Sequence, residues 1–157
     1  MLQARIPLMM SSFSELGGRL LVIFDGHCGL CNRTVRWFLR LDRRDRLRFA
    51  ASDSPKIAGL IARQRIDSPD AESGPGTILV VRDFGGPAEE ILLRSDAGLA
   101  MLRELPRPWP AVAAVLRLIP RPIRDLGYGL IARRRHRIWE RLEICPLPTP
   151  EEQDRFL

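Results

Sequence analysis

The sequence predicts an α/β fold, a β-α-β-α-β-β-α core with extra helices after it. Three observations carry the prediction. A short, wholly apolar run, Leu20 to Phe24, is followed at once by a helical pattern, the mark of a parallel crossover unit. Two further apolar runs, Thr77 to Arg82 and Glu89 to Arg94, are separated by Asp83-Phe84-Gly85-Gly86-Pro87, which predicts a hairpin. A chain of 157 residues with 45% apolar and 28% charged content suffices for one packed core of ordinary composition.

The elements follow in order. Met1 to Gly18 is expected to be a flexible leader. Its apolar stretch, Ile6-Pro7-Leu8-Met9-Met10, is short, broken by proline and followed by no small-residue cleavage site. Leu20 to Phe24 fits a central strand covered on both faces. In the helix from about Leu30 to Leu41, Val35, Phe38, Leu39 and Leu41 form the buried side, and Arg33, Arg36, Arg40 and Arg43 face away. Leu47 to Ala51 is the second strand. Ser54-Pro55 opens a helix to Arg65, with Ile57, Leu60 and Ile61 inward. Asp67 to Gly76 is a loop. After the hairpin, Ser95 or Asp96 is expected to cap a helix through Leu105. A crossover unit, then a hairpin and a packing helix, is the thioredoxin-like order. This gives a leader over 1–18, a core over 19–106, and a helical extension with a proline-rich tail over 107–157 packed on the core. Within the extension, Pro106, Pro108 and Pro110 form a hinge, and Trp109 to Ile119 is an apolar helix. Pro120 and Pro122 break it, Ile123 to Leu142 is a basic amphipathic helix, and the tail from Cys145 to Pro150 is extended.

Composition narrows the function. Formal net charge is +6, and Lys56 is the only lysine. The basic residues are spread along the chain with one dense run, Arg133 to Arg137. No nucleic-acid-binding signature or aromatic platform accompanies them, so nucleic acid is not expected as a partner. That run, with Trp139 nearby, resembles a membrane-surface helix, but a solvated face over a packed helix is the favoured reading. No run approaches the roughly 20 apolar residues of a membrane span. Three cysteines are too few for a secreted disulfide scaffold, which points to a cytoplasmic chain with reactive cysteines.

Two of those cysteines carry the functional signal. Cys28 and Cys31 lie on the turn between the first strand and the first helix. A helix N-terminus bears partial positive charge and unpaired N–H groups, which stabilise a thiolate. Cys28 is the candidate nucleophile and is expected to be the more exposed; Cys31 is the candidate resolving thiol. Half a zinc site is the competing reading, but zinc takes about four ligands, and only His27, His136 and Cys145 remain as candidates. No metal and no bound cofactor are expected. Asp25, three residues before Cys28, would suit proton transfer with Cys31 if buried beside it; as a cap of the helix it would be merely structural. Gly26 is expected to supply a positive-φ turn or a close backbone approach. His27 either stabilises the thiolate as imidazolium or is a solvated loop histidine. Gly29 and Leu30 bring no charge between the cysteines. Cys145 is read as incidental, and Trp37 as core or rim packing.

The stretch Phe24-Asp25-Gly26-His27-Cys28-Gly29-Leu30-Cys31-Asn32 resembles the opening motif of the DCC thiol–disulfide oxidoreductase family, named for Asp-x-x-Cys-x-x-Cys. Arg48-Phe49 with Ser52 to Pro55, Arg94-Ser95-Asp96-Ala97, Tyr128 to Arg135 and Cys145-Pro146-Leu147-Pro148 extend the likeness from about Leu20 to the end. The resemblance implies a thioredoxin-like fold and disulfide exchange with a protein or small-thiol partner. It also implies a cis-proline opposite the cysteine pair, for which Pro75 is the nearest candidate. The alternative is a non-enzymatic interaction or redox-sensing module, surface-associating through its basic helix. Oligomeric state is not legible.

Overall fold

The computed structural model describes residues 18–55, 57, 78–84, 86–138 and 148–157. The leader, most of the helix expected from Pro55 to Arg65, the following loop with Pro75, and residues 139–147 with Cys145 lie outside them.

Four strands, β1 (Leu20–Phe24), β2 (Leu47–Ala51), β3 (Leu79–Arg82) and β4 (Glu90–Leu93), form one sheet of order β2-β1-β3-β4. β1 and β2 run parallel, Leu20 opposite Leu47 and Phe24 opposite Ala51. β3 is antiparallel to β1, and β4 antiparallel to β3. The helices are α1 (Gly29–Leu41), α2 (Arg94–Glu104), α3 (Trp109–Arg117) and α4 (Arg121–Ile138). A 3-10 turn, Gln153–Arg155, follows near the end. This is the predicted thioredoxin-like α/β fold.

β1 is central because it has no polar side to offer. All five of its residues are buried, and alternate side chains enter two separate cores. Leu20, Val22 and Phe24 join Val35, Phe38 and Leu39 of α1 and Ala97, Ala100 and Met101 of α2. Leu21 and Ile23 join Ala50, Val81 and Ile57 on the other face. α1 and α2 thus cover one side of the sheet, and the chain around Ile57 helps cover the other.

Two carboxylates fix the turn between α1 and β2. Asp42 ends α1 with its side chain fully buried, accepting the backbone N–H groups of Arg46 and Leu47 at 2.9 to 3.1 Å. Asp42→Ala strands those donors, and a loss of about 2–3 kcal/mol is expected in urea unfolding, with an unchanged denaturant slope. Asp45 takes a left-handed φ of 53° and accepts Arg48 at 2.6 and 2.9 Å and Arg19 at 3.2 Å. The hydrogen bond from Arg48 holds its carboxyl below the usual range, against partial desolvation, with the charges of Arg48, Arg19 and Arg155 adding to the effect. A lowered folded value means stabilisation present above the unfolded carboxylate pKa and lost as pH falls through the folded one. Asp45→Asn tolerates the left-handed backbone, so its stability should fall less steeply than the parent's on the acid side in thermal melts.

Two sequence expectations are corrected. Neither Ser95 nor Asp96 caps α2, whose first turn follows β4 directly with Leu93 at the capping position and no side-chain bond. Both side chains reach across to α4 instead: Ser95 bonds Asp125, while Asp96 meets Arg124 at 3.1 Å and Arg121 at 3.0 Å. Pro122 does not break a helix but lies in the first turn of α4, where its missing N–H costs nothing; the break is at Leu118–Pro120. The segment around Pro106 is a tight turn in which Trp109 N–H donates to the Pro106 carbonyl at 3.2 Å, and the Arg107–Pro108 peptide is cis. Beyond the tail expected to be extended, the last described residues pair with the sheet. Phe156 bridges Phe49 of β2, and Leu157 N–H donates to the Phe49 carbonyl at 2.9 Å, which pairs the open edge of β2.

Candidate active site

Chain direction brings the two cysteines to the junction of β1 and α1. Asp25 leaves the strand, and its carboxylate accepts the backbone N–H of His27 at 2.9 Å. The chain then turns back, Cys28 N–H donating to the Asp25 carbonyl at 3.2 Å. Cys28 is extended, with φ −87° and ψ 114°, and it caps α1: its Sγ accepts the N–H of Cys31 at 3.3 Å. The capping position that the sequence left open to Asp25 is therefore held by sulfur. A sulfur there faces the unpaired N–H groups of the first turn, where negative charge is favoured.

Asn32 locks the turn. Its amide group donates to the Gly26 carbonyl at 2.6 Å and to the Cys28 carbonyl at 3.1 Å, while its backbone N–H bonds the same Cys28 carbonyl at 3.0 Å. Asn32 is 7% exposed. Both side-chain donors are used, so the loop is tied to the helix that follows it. Sequence reasoning quoted Asn32 within the motif but gave it no role. The available signal was its position: with Cys28, Val35 and Leu39 it completes a helical stripe of inward residues, and a polar group on such a stripe needs a partner.

Exposure departs from expectation. Cys28 is 2% and Cys31 4% exposed, so Cys28 is not the more accessible of the pair. Both belong to the core cluster with Phe24 and Val35. The physical reason is the turn itself: the carbonyls of residues 26 and 28 are drawn onto Asn32, which folds the Cys28 end of the loop against the helix instead of presenting it. Gly26 is buried, and the left-handed glycine among the described residues is Gly18, not Gly26. Gly29 and Leu30 form the first turn of α1, half-buried. The imidazole of His27 is partly exposed, and its Nε2 lies 3.6 Å from Asp53, a carboxylate partner not foreseen from sequence. Trp37 is a rim residue, packing edge-on against Phe38 and Trp109 with centroids 5.0 and 4.8 Å apart. Among the described residues, no group of three or more His, Cys, Asp or Glu side chains gathers into a metal-ligand set.

A thioredoxin-like sheet whose first strand delivers a Cys-x-x-Cys pair to a helix N-terminus defines a class of thiol–disulfide proteins. Residues 22–141 match the DCC1-like thiol-disulfide oxidoreductase family, and the chain belongs to it. It is 31% identical over 137 residues to a chloroplastic DCC family protein of Arabidopsis thaliana, covering 87% of this chain and 74% of that one. It is 26% identical over 136 residues to the uncharacterised protein YuxK of Bacillus subtilis, covering 87% and 92%. No solved structure matches the chain. No helix among the described residues is long and apolar enough to cross a membrane.

Proposed function

We propose that this protein exchanges a Cys28/Cys31 dithiol–disulfide with a protein or small-thiol partner, in the cytoplasm. The observation that carries the reading is the capping sulfur: the N–H of Cys31 points at Cys28 Sγ from 3.3 Å at the positive end of α1. The Cys28 thiolate attacks a substrate disulfide, forming a mixed disulfide and releasing one substrate sulfur as thiolate. Cys31, deprotonated, attacks the Cys28 sulfur, closing the internal disulfide and releasing the second. A protein or small-molecule dithiol returns two electrons, and no bound cofactor takes part. Asp25 is the proposed acceptor of the Cys31 proton. Asp25→Asn keeps an oxygen for the His27 N–H, so it should slow the second step more than it lowers stability.

Equilibration in glutathione redox buffers tests the reading. The thiol count should fall by two as one internal disulfide forms; Cys31→Ser should lose at most one thiol, to a mixed disulfide, and Cys28→Ser none, with no internal disulfide in either. No internal disulfide at any ratio refutes it. The burial of both sulfurs favours one competitor, a redox-sensing module. That protein would form the same disulfide yet fail to catalyse insulin reduction.

A further inference from the structure

The large apolar side chains that stand exposed are not scattered. Apart from Trp37, every one among the described residues lies in α3, α4 or the turn between them, from Val112 to Ile131. The two helices are built inside out. α3 buries only the small Ala113 and turns Val115 outward, at 64% exposed. α4 is held to the body by polar contacts: Arg124 to Asp96, Asp125 to Ser95, and Tyr128, whose hydroxyl accepts the Ile78 N–H at 3.2 Å. Ile123, Leu126 and Leu130 lie on the side of the helix away from that anchor, Ile131 lies nearer to it, and all four are 47% to 60% exposed. An amphipathic helix packing on its own core does the reverse.

Charge is concentrated on the same element. Residues 105–138 contain eight arginines and one aspartate, a formal +7, so the rest of the +6 chain sums to −1. The single carboxylate, Asp125, is turned inward onto Ser95 and Arg121. Arg117, Arg121, Arg133, Arg134 and Arg137 are exposed, the last three on the same side of α4 as Ile123, Leu126 and Leu130.

We infer that the α3–α4 face is a docking surface for an anionic lipid bilayer, on which the chain lies without spanning it. Apolar side chains would enter the headgroup boundary while the arginines interleaved with them meet lipid phosphates. A second copy of this chain would bring the same excess of positive charge against itself, so the surface favours an anionic partner over self-association. A bilayer also needs no matching pattern of side chains, only apolar depth and negative charge density. This inference goes beyond the redox reading and stands independently of it.

Vesicle flotation with the full chain tests it, using phosphatidylcholine with and without roughly one-third phosphatidylglycerol. The chain should float with the anionic vesicles at low salt, remain behind with phosphatidylcholine alone, and be released as salt screens the arginines. Arg133→Glu with Arg134→Glu should weaken binding about a hundredfold, and Leu126→Glu with Leu130→Glu at least tenfold or so. All four side chains are exposed and none belongs to the core cluster that holds the cysteines, so circular dichroism and the redox equilibrium should be unchanged. Absence of flotation with anionic vesicles overturns the inference, as does full binding by the leucine variant. Sedimentation showing a dimer that the leucine variant disperses, without vesicle binding, would give the face to a second copy.

Discussion

Cys28→Ser is expected to bring disulfide exchange down to the uncatalysed rate while leaving the protein folded. Serine is slightly smaller than cysteine, and its hydroxyl accepts the N–H of Cys31 as the sulfur does, at a position where serine is a preferred cap. Stability should therefore shift by no more than about 1 kcal/mol. Chemistry should not survive, because a hydroxyl does not ionise to a sulfur-like nucleophile near neutral pH and cannot form a disulfide. Cys31→Ser should behave differently. Attack by Cys28 remains, but nothing resolves the product, so a mixed disulfide accumulates. Intact-mass measurement after challenge with glutathione disulfide reads this directly: one glutathione adduct on Cys31→Ser, none on Cys28→Ser. The reverse pattern would exchange the two roles. Exposures of 2% and 4% do not separate them; the proposed roles rest on the capping geometry, in which the sulfur of Cys28 receives the N–H of Cys31.

Burial adds a kinetic expectation to the same experiment. A substrate disulfide must reach Cys28 Sγ, so the first step includes a local opening of the Asp25–Cys28 turn. Two effects then act on the thiolate in opposite directions: the helix terminus favours it, and the apolar cluster around Phe24 and Val35 disfavours it. The sequence displayed the first effect and concealed the second. Strand–helix adjacency is visible in a linear pattern; enclosure by a distant cluster is not.

The same division runs through the fold. β1, β2 and the buried stripe of α1 were legible because each is set by its own apolar pattern, and their observed limits match the pattern closely. The hairpin was legible from its turn residues. The polar residues that act across the chain were misread. Ser95 and Asp96 look like caps because a cap is their commonest local use, yet α4 lies close enough to claim both. The docking of Phe156 on β2, edge-on to Phe24 at 6.3 Å, leaves no periodic signal in a tail dominated by prolines. The outward apolar face of α4 was hidden because its composition suggests an ordinary amphipathic helix, and only its anchors reveal which side is in.

Asn32→Asp should be the most damaging single substitution at the site, lowering stability by about 4 kcal/mol. The change is nearly isosteric, so packing is preserved and electrostatics alone is altered. The wild-type amide gives one hydrogen each to the carbonyls of Gly26 and Cys28. A carboxylate offers none, and it would hold charge 7% exposed against two carbonyl oxygens. Asn32→Ala removes the donors without adding charge and should cost less, about 2–3 kcal/mol, because two buried acceptors lose partners. Urea unfolding gives the order: parent most stable, alanine intermediate, aspartate least. A second readout separates the positioning of Cys28 from general destabilisation. With the loop untied from α1, alkylation of Cys28 under native conditions should accelerate in both variants, whereas Asp42→Ala, which weakens the fold at the opposite end of α1, should leave that rate close to the parent's. Equal acceleration by all three would mean that Cys28 is reached by global unfolding and that Asn32 holds nothing specific. Alkylation faster only in the Asn32 variants places the control of thiol access in that one amide.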